Sequence, residues 1–244
     1  DRARHDLTRR ALIPASQIIQ ARILAKARGV VAGSEVAAQV FRSADPRIRC
    51  AIMAPDGRPV KPGQTIVELH GPARSMLQAE RTALNFLGHL SGIATLTHRF
   101  VRRVRPSRVQ ILDTRKTLPG LRVLEKAAVR AGGGSNHRLD LASAVLIKTN
   151  HLRACSTQIR TAVTRTRQAA RSKPVEIEVK NLAECQAALD AGADIIMLDN
   201  WALSTIRKAV ALRHHTAPST QHPVLLEVSG GVTLQNIRAI AKTG

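Results

Sequence analysis

Residues 111–151 read ILDTRKTLPGLRVLEKAAVRAGGGSNHRLDLASAVLIKTNH. The stretch opens on a short apolar run that ends in Asp113, with Arg115 and Lys116 just behind it. A helical segment follows, then the glycine run Gly132 to Gly134, then His137 and Arg138. A second apolar run, Ala144 to Ile147, ends in Lys148. Arg115, Lys116, His137, Arg138 and Lys148 therefore fall just past the carboxyl ends of two expected strands, or in the loop between them. In α/β folds that is the ligand face, because loops there vary over a rigid scaffold. Arginine offers a planar fork for carboxylate or phosphate, and lysine a point charge for phosphate. Arg122, Lys126 and Arg130 read instead as solvated charges on a surface helix.

The rhythm continues downstream. VQILD (109–113), AVLIK (144–148), VEIEV (175–179), DIIMLD (194–199) and VLLEV (224–228) have strand character, and helical segments are expected near 121–131, 157–171, 182–191, 202–213 and 233–242. Such alternation implies parallel strands joined by crossover helices. No G-x-G-x-x-G follows the first strand, so an α/β barrel fits better than a dinucleotide-binding fold. Each strand ends near a polar residue: Arg115, Lys148, Glu178, Asp199 and Ser229. Glu176 and Glu178 alternate on one side of their strand and point the same way. Acids beside so many cations can neutralise them, steady a sugar cation or hold magnesium through oxygen ligands. Glu176 reads as structural. Ser229, Gly230 and Gly231 come off a strand ahead of a helix expected at Thr233, which suits phosphate binding by backbone N–H groups, or simply a tight turn.

Upstream, residues 1–105 read as a mixed α/β unit, and 106–244 as the barrel unit. Gln17 to Val31 alternates apolar residues, Ser34 is placed to cap a helix through Phe41, and Ile48–Met53 and Gln64–Leu69 look like strands around the turn-forming DGRPVKPG. A long helix is expected from Ser75, with Ser75 and Gln78 at capping-box spacing. On it, Arg81 sits beside apolar positions, and Gly88 and Gly92 lie four apart.

The chain has 244 residues, 44% of them hydrophobic, enough for one large or two modest domains. No apolar run reaches the length of a membrane span, and the charged start DRARHDLTRR lacks the core of a signal peptide. Cys50, Cys155 and Cys185 are widely spaced and odd in number, which argues against a disulfide framework or a zinc site and for a cytoplasmic location. Thirty-eight lysines and arginines against seventeen acids give a net charge of +21, which attracts polyanions. The basic residues are dispersed and aromatics make up only 2%, so a dedicated nucleic-acid reader is disfavoured. A nonenzymatic polyanion-binding protein stays as an alternative that the charge alone favours.

DTRKT, PGLR, LEKAAVRAGGGSNHR and IKTNH resemble the signature of the quinolinate phosphoribosyltransferase family, also called nicotinate-nucleotide pyrophosphorylase. AERTALNFLGHLSGIATLT (79–97), IEVKNLAE (177–184), ALDAGADIIMLDN (188–200) and LEVSGGVTLQNI (226–237) extend the likeness over nearly the whole chain. The resemblance implies an amino-terminal α/β sandwich domain followed by an α/β barrel. It also implies a further strand past Gly244, so the expected barrel is incomplete and open, with a truncated carboxyl-terminal end. The implied reaction is phosphoribosyl transfer from phosphoribosyl pyrophosphate to quinolinate with decarboxylation, a pentosyltransferase step of NAD synthesis. The implied roles are Arg81 (donated across a homodimer), Arg115, His137, Arg138 and Lys148 for the dicarboxylate, and Lys116 with Lys148 for pyrophosphate. Glu178 and Asp199 are implied for the ribose and a substrate-associated Mg2+, and Ser229, Gly230 and Gly231 for the 5′-phosphate. The family usually reads IKDNH where this chain has Thr149. That departure removes a carboxylate and favours, as an alternative, a paralogous phosphoribosyltransferase acting on another carboxylated base or serving metal-related metabolism.

Overall fold

A computed structural model describes residues 6–170, 173–215 and 223–244. The elements run α1 (Leu7–Leu12), β1 (Ile18–Leu24), β2 (Gly29–Val30), α2 (Ser34–Ala44), β3 (Arg49–Ile52), β4 (Pro59–Val60), β5 (Thr65–Pro72), α3 (Ala73–Val104) and α4 (Arg122–Ala131). They continue as β6 (Val145–Ile147), α5 (Thr149–Ala154), α6 (Ile159–Ala170), β7 (Val175–Val179), α7 (Leu182–Asp190), β8 (Ile195–Asp199), α8 (Leu203–His215), β9 (Leu225–Ser229) and α9 (Ile237–Ala241). Contacts divide the chain into two compact units, one running through Arg102 and including Gln110–His137, the other comprising Arg103–Val109 and the chain from Arg138 onward.

In the first unit β1, β5 and β3 form an antiparallel sheet in that order, and β2 pairs with β4. Alternation in β5 turns Val67 and Leu69 inward. They meet Ala37 and Phe41 of α2 and the row Ala79, Ala83 and Leu87 of α3, which recurs at helical spacing. Ser34 begins α2, but its expected capping role belongs to Asp56, whose carboxylate accepts from the Gly33 and Ser34 N–H groups at 2.9 Å and from the Ser34 hydroxyl at 2.7 Å. The capping box expected at Ser75 and Gln78 does not form either. Helix α3 begins at Ala73, the Ser75 hydroxyl donates to Asp45, and the Gln78 oxygen accepts from the guanidinium of buried Arg9.

The segment 110–137 groups with this first unit, whereas the sequence boundary after residue 105 places it with the second. Packing explains the grouping: Ala128 of α4 shares a core with Leu90 and Ala94 of α3 and with Val30 and Ala32. The glycine run makes that approach possible. A Cβ on Gly132 would lie 2.4 Å from the Ala94 carbonyl oxygen and 2.7 Å from Thr97 Cβ, and one on Gly134 would lie 2.8 Å from both Thr97 Cγ2 and Val129 Cγ1. The expected strand 109–113 is reduced to a single parallel bridge, Leu112 with Ser135. Only that residue finds a ladder partner among the described residues, so the rest of VQILD stays irregular.

The second unit is a four-stranded parallel sheet, β6-β7-β8-β9, with α6, α7 and α8 packed on one face. Val175, Ile177 and Val179 of β7 and Ile196 and Leu198 of β8 are fully buried against those helices. The sheet is open, and no closed barrel is formed among the described residues. Helices α6, α7 and α8 fall where expected, with the anticipated last residue of α6, Arg171, lying outside the described residues. Helix α9 begins at Ile237, not Thr233, because Thr233 and Asn236 close a turn on each other first: the Thr233 N–H donates to Asn236 Oδ1 at 2.8 Å. Among the described residues no helix is long and apolar enough to cross a membrane.

Asp45, after the last turn of α2, is held by the Arg47 guanidinium at 2.8 and 3.0 Å, the Arg47 N–H at 3.0 Å and the Ser75 hydroxyl at 2.8 Å. Those donors, Arg47 first, keep its carboxyl well below the usual carboxylate range. A depressed folded-state pKa gives stability that is complete above the unfolded value and is lost as pH falls towards the folded one. Asp45→Asn should therefore lower the melting temperature by a few degrees at pH 7. The gap from the parent protein should narrow below about pH 4, as melts across pH 3–7 would report. Gly132→Ala should destabilise by about 2 kcal/mol in denaturant titration, since the Ala94 carbonyl is main chain and cannot swing aside.

Candidate active site

Strand polarity and side-chain alternation build the polar face of the second unit. The odd residues of β7 pack on the helices, so Glu176 and Glu178 face the other way. The register continues this across the sheet, pairing Ile147 with Ile177, Glu178 with Met197 and Asp199 with Ser229. Lys148, Glu178, Asp199 and Ser229 are thereby brought to one face and one end of the sheet. Glu176 is buried lower on the same face, 3% exposed, while Glu178 and Asp199 are half-buried.

Each of these strand ends is fixed locally. Thr149 donates its hydroxyl to Glu178 Oε1 at 2.8 Å, so the residue that replaces the family's usual aspartate is directly engaged with the acid. Asn200 adopts a left-handed backbone (φ 61°), donates its amide to Asp199 Oδ2 at 3.1 Å and donates its N–H to the Ser229 carbonyl at 2.8 Å. Gly230 (φ 83°) is required here, because a Cβ would lie 2.2 Å from Asn200 Oδ1. With Gly231 also left-handed, Ser229–Gly231 is a tight turn followed by irregular chain, and Asn236 Nδ2 closes it by donating to the Gly231 carbonyl at 2.8 Å. A helix start at Thr233 is not what this turn offers.

Glu178 and Asp199 supply hard carboxylate oxygens from neighbouring strand ends. That donor set fits magnesium, which binds through one or two carboxylates together with substrate phosphates. A cavity of about 380 Å3 flanks β6 at the sheet edge, lined mainly by Leu141, Val145, Leu146, Ile147 and Leu152, with Arg138 and His151. None of Glu178, Asp199 or Ser229 lines it. It is therefore not the polar strand-end face. The Arg138 guanidinium donates to the Ala144 carbonyl at 3.2 Å.

In the first unit the cations behave differently from one another. Lys126 is 1% exposed and ion-paired with Asp113, not solvated as its helix position suggests. It also donates to the His137 carbonyl at 2.9 Å, and Asp113 accepts from the His137 N–H at 2.9 Å. Arg122 donates to Thr117 Oγ1 at 3.1 Å and to the Arg115 carbonyl at 3.3 Å. Arg115 is half-buried, and its Nε has no acceptor among the described residues. A buried donor left without a partner is costly, and an entering carboxylate or phosphate would relieve that cost. Lys116 is exposed, with its own N–H turned back onto Thr114 Oγ1 at 3.0 Å. Arg81 is exposed on α3, away from that helix's buried row. The sequence reading missed the roles of Asp113, Arg122, Glu125 and Lys126, since only their tertiary partners distinguish them from surface charges.

Comparison with known proteins shows the family. The quinolinate phosphoribosyl transferase N-terminal domain matches residues 6–91 and the C-terminal domain of the same family matches residues 93–244. A probable nicotinate-nucleotide pyrophosphorylase (carboxylating) of Bacillus subtilis is 41% identical over 240 residues, covering 98% of this chain and 80% of the relative. A nicotinate-nucleotide pyrophosphorylase (carboxylating) of Mycobacterium leprae is 41% identical over 241 residues, covering 98% and 83%. The solved nicotinate-nucleotide pyrophosphorylase of Francisella tularensis superposes with a TM-score of 0.89 at 39% identity, over 98% of this chain and 82% of that one. With both domain profiles matched and strand-end acids, cations and a glycine turn in place, this chain belongs to the quinolinate phosphoribosyl transferase family.

Proposed function

We propose that the protein transfers the phosphoribosyl group of phosphoribosyl pyrophosphate to the ring nitrogen of quinolinate, releasing pyrophosphate and carbon dioxide and leaving nicotinate mononucleotide for NAD synthesis. The observation that carries this reading is family membership over 6–91 and 93–244, joined to the strand-end face of Lys148, Glu178, Asp199 and Ser229.

The pyridine nitrogen attacks with its own lone pair, so no general base is needed. The new N–C1 bond forms as the C1–oxygen bond breaks, and that electron pair leaves on pyrophosphate. The sugar passes through oxocarbenium character, which Glu178 and Asp199 stabilise electrostatically from fixed positions. Lys116 and Lys148 receive the departing pyrophosphate charge. Arg115, His137, Arg138 and Lys148 hold the two carboxylates, and Ser229, Gly230 and Gly231 take the 5′-phosphate. Ring quaternisation then draws in the electrons of the C2–carboxylate bond, carbon dioxide leaves, and a proton takes its place on C2. Glu178 and Asp199 would hold a substrate-associated Mg2+, which when bound neutralises phosphate charge.

A homodimer with Arg81 donated across it belongs to the same reading. Its support is the stripe Leu77, Arg81, Asn85, Gly88, Gly92 and Leu96 along α3, exposed at helical spacing, with nothing within 4 Å of a Cβ built on either glycine. A cytoplasmic location fits the free state of Cys50, Cys155 and Cys185. Thr149 favours a second reading, a paralogue acting on another carboxylated base. Quinolinate-dependent release of pyrophosphate and carbon dioxide, assayed beside other pyridine acids, decides between them.

Glu178→Gln and Asp199→Asn should each lower kcat about 100-fold with quinolinate binding nearly unchanged; full turnover in both would remove their assigned role. Arg115→Ala should weaken quinolinate binding about tenfold or more by calorimetry, and an unaltered affinity would refute that contact.

A further inference from the structure

Three polar residues of α4, Arg122, Glu125 and Lys126, fall on one side of the helix at positions i, i+3 and i+4. All three reach chain segments that flank proposed substrate-binding cations. Lys126 Nζ donates both to Asp113 Oδ1 and to the His137 carbonyl, and the same Asp113 oxygen accepts from the His137 N–H. Both main-chain polar groups of His137 are thus tied to one buried ion pair, whose side chains are 2% and 7% exposed. Backbone bonds from Asp113 N–H to the Ser135 carbonyl (3.2 Å) and from Ser135 N–H to the Ile111 carbonyl (2.8 Å) hold the two segments in register. On the other side, Arg122 holds the Arg115 carbonyl and Thr117 Oγ1, and Glu125 Oε2 accepts from the Leu118 N–H at 3.3 Å. Glu125 is itself braced by His89 of α3, at 2.9 Å from its other oxygen.

From this geometry we infer that Arg122, Glu125, Lys126 and Asp113 are positioning residues for quinolinate, setting where Arg115 and His137 present their side chains without touching the substrate. The inference rests on the proposed function and deepens it. A buried ion pair is a poor device for stability alone, since apolar residues of similar volume pack as well or better. What the pair supplies here is direction. It fixes the Cα–Cβ vector of His137 through both of its peptide groups, and Asp113 lies two residues before Arg115. Near-attack geometry is sensitive to displacements of about 1 Å, so loose loops would weaken the grip on the dicarboxylate first.

Asp113→Asn combined with Lys126→Met tests this with the charge kept balanced. The asparagine oxygen still accepts from the His137 N–H, while the methionine fills the lysine's space and removes the Lys126 hydrogen bond to the His137 carbonyl. Arg122→Met is the companion, since Arg122 is only half-buried and the Asp113–Lys126 pair is left intact. For both variants, melting should remain cooperative and the quinolinate KM should rise about tenfold, with kcat and the KM for phosphoribosyl pyrophosphate changing less than about threefold. A parent protein without quinolinate-dependent pyrophosphate release would overturn the proposed function itself. An active parent whose folded variants keep the quinolinate KM, or lose kcat alone, overturns only the positioning role. Should the double variant fail to fold, Arg122→Met decides the matter by the same readout.

Discussion

The period-two alternation of β7 is the constraint from which the chemistry of the second unit follows. Val175, Ile177 and Val179 are wholly removed from water against three helices, so the strand cannot slip by one residue without placing two glutamates in that core. With β7 locked, parallel pairing carries the same facing to β6, β8 and β9. The placement of Glu178, Asp199 and Ser229 is a consequence of burying their neighbours. Thr149 and Asn200 then fix the Glu178 and Asp199 carboxylates at the strand ends, and a scaffold of this kind holds side chains more rigidly than a loop could.

The first unit solves a different problem. Its proposed anion-binding residues stand on irregular chain, where no sheet register fixes them, so side chains of α4 and the Asp113–Lys126 pair take over that task. Helix α4 can do so only because Gly132 and Gly134 let it press against α3. Bracing by tertiary polar contacts also explains how a chain carrying +21 tolerates clustered cations here. Lys126 is neutralised locally, and Arg122 donates to a main-chain and a hydroxyl oxygen, while the Arg115 Nε has no acceptor among the described residues.

What could be read from the sequence tracks how local the determining interaction is. Strands β7, β8 and β9 and helices α7 and α8 are apolar runs or amphipathic segments whose pattern alone specifies them, and the face shared by Lys148, Glu178, Asp199 and Ser229 follows from strand alternation. Features set by distant partners were not legible. Asp56 displaces Ser34 as the cap of α2 from more than twenty positions away, and Asp45 draws Ser75 out of a capping box. Lys126 looks like any exposed helical lysine until its partner, thirteen residues upstream, is placed beside it. The 109–113 run has strand composition but finds one bridging residue, and the turn after Ser229 is closed by Asn236, delaying the helix beyond Thr233.

Thr149 shows how one substitution alters the electrostatics of the strand ends. An aspartate there would set a second carboxylate against Glu178, and two acids at hydrogen-bonding distance cannot both ionise without a cation or shared proton between them. A threonine hydroxyl donates to Glu178 instead, at 2.8 Å, so the contact is a hydrogen bond and not a repulsion. In the proposed reaction Glu178 still faces the sugar, while these strand ends present one hard oxygen fewer than an aspartate would bring. Under the proposed function, dependence on metal should accordingly be weaker than at a site with three carboxylates, with more of the pyrophosphate charge met by Lys116 and Lys148.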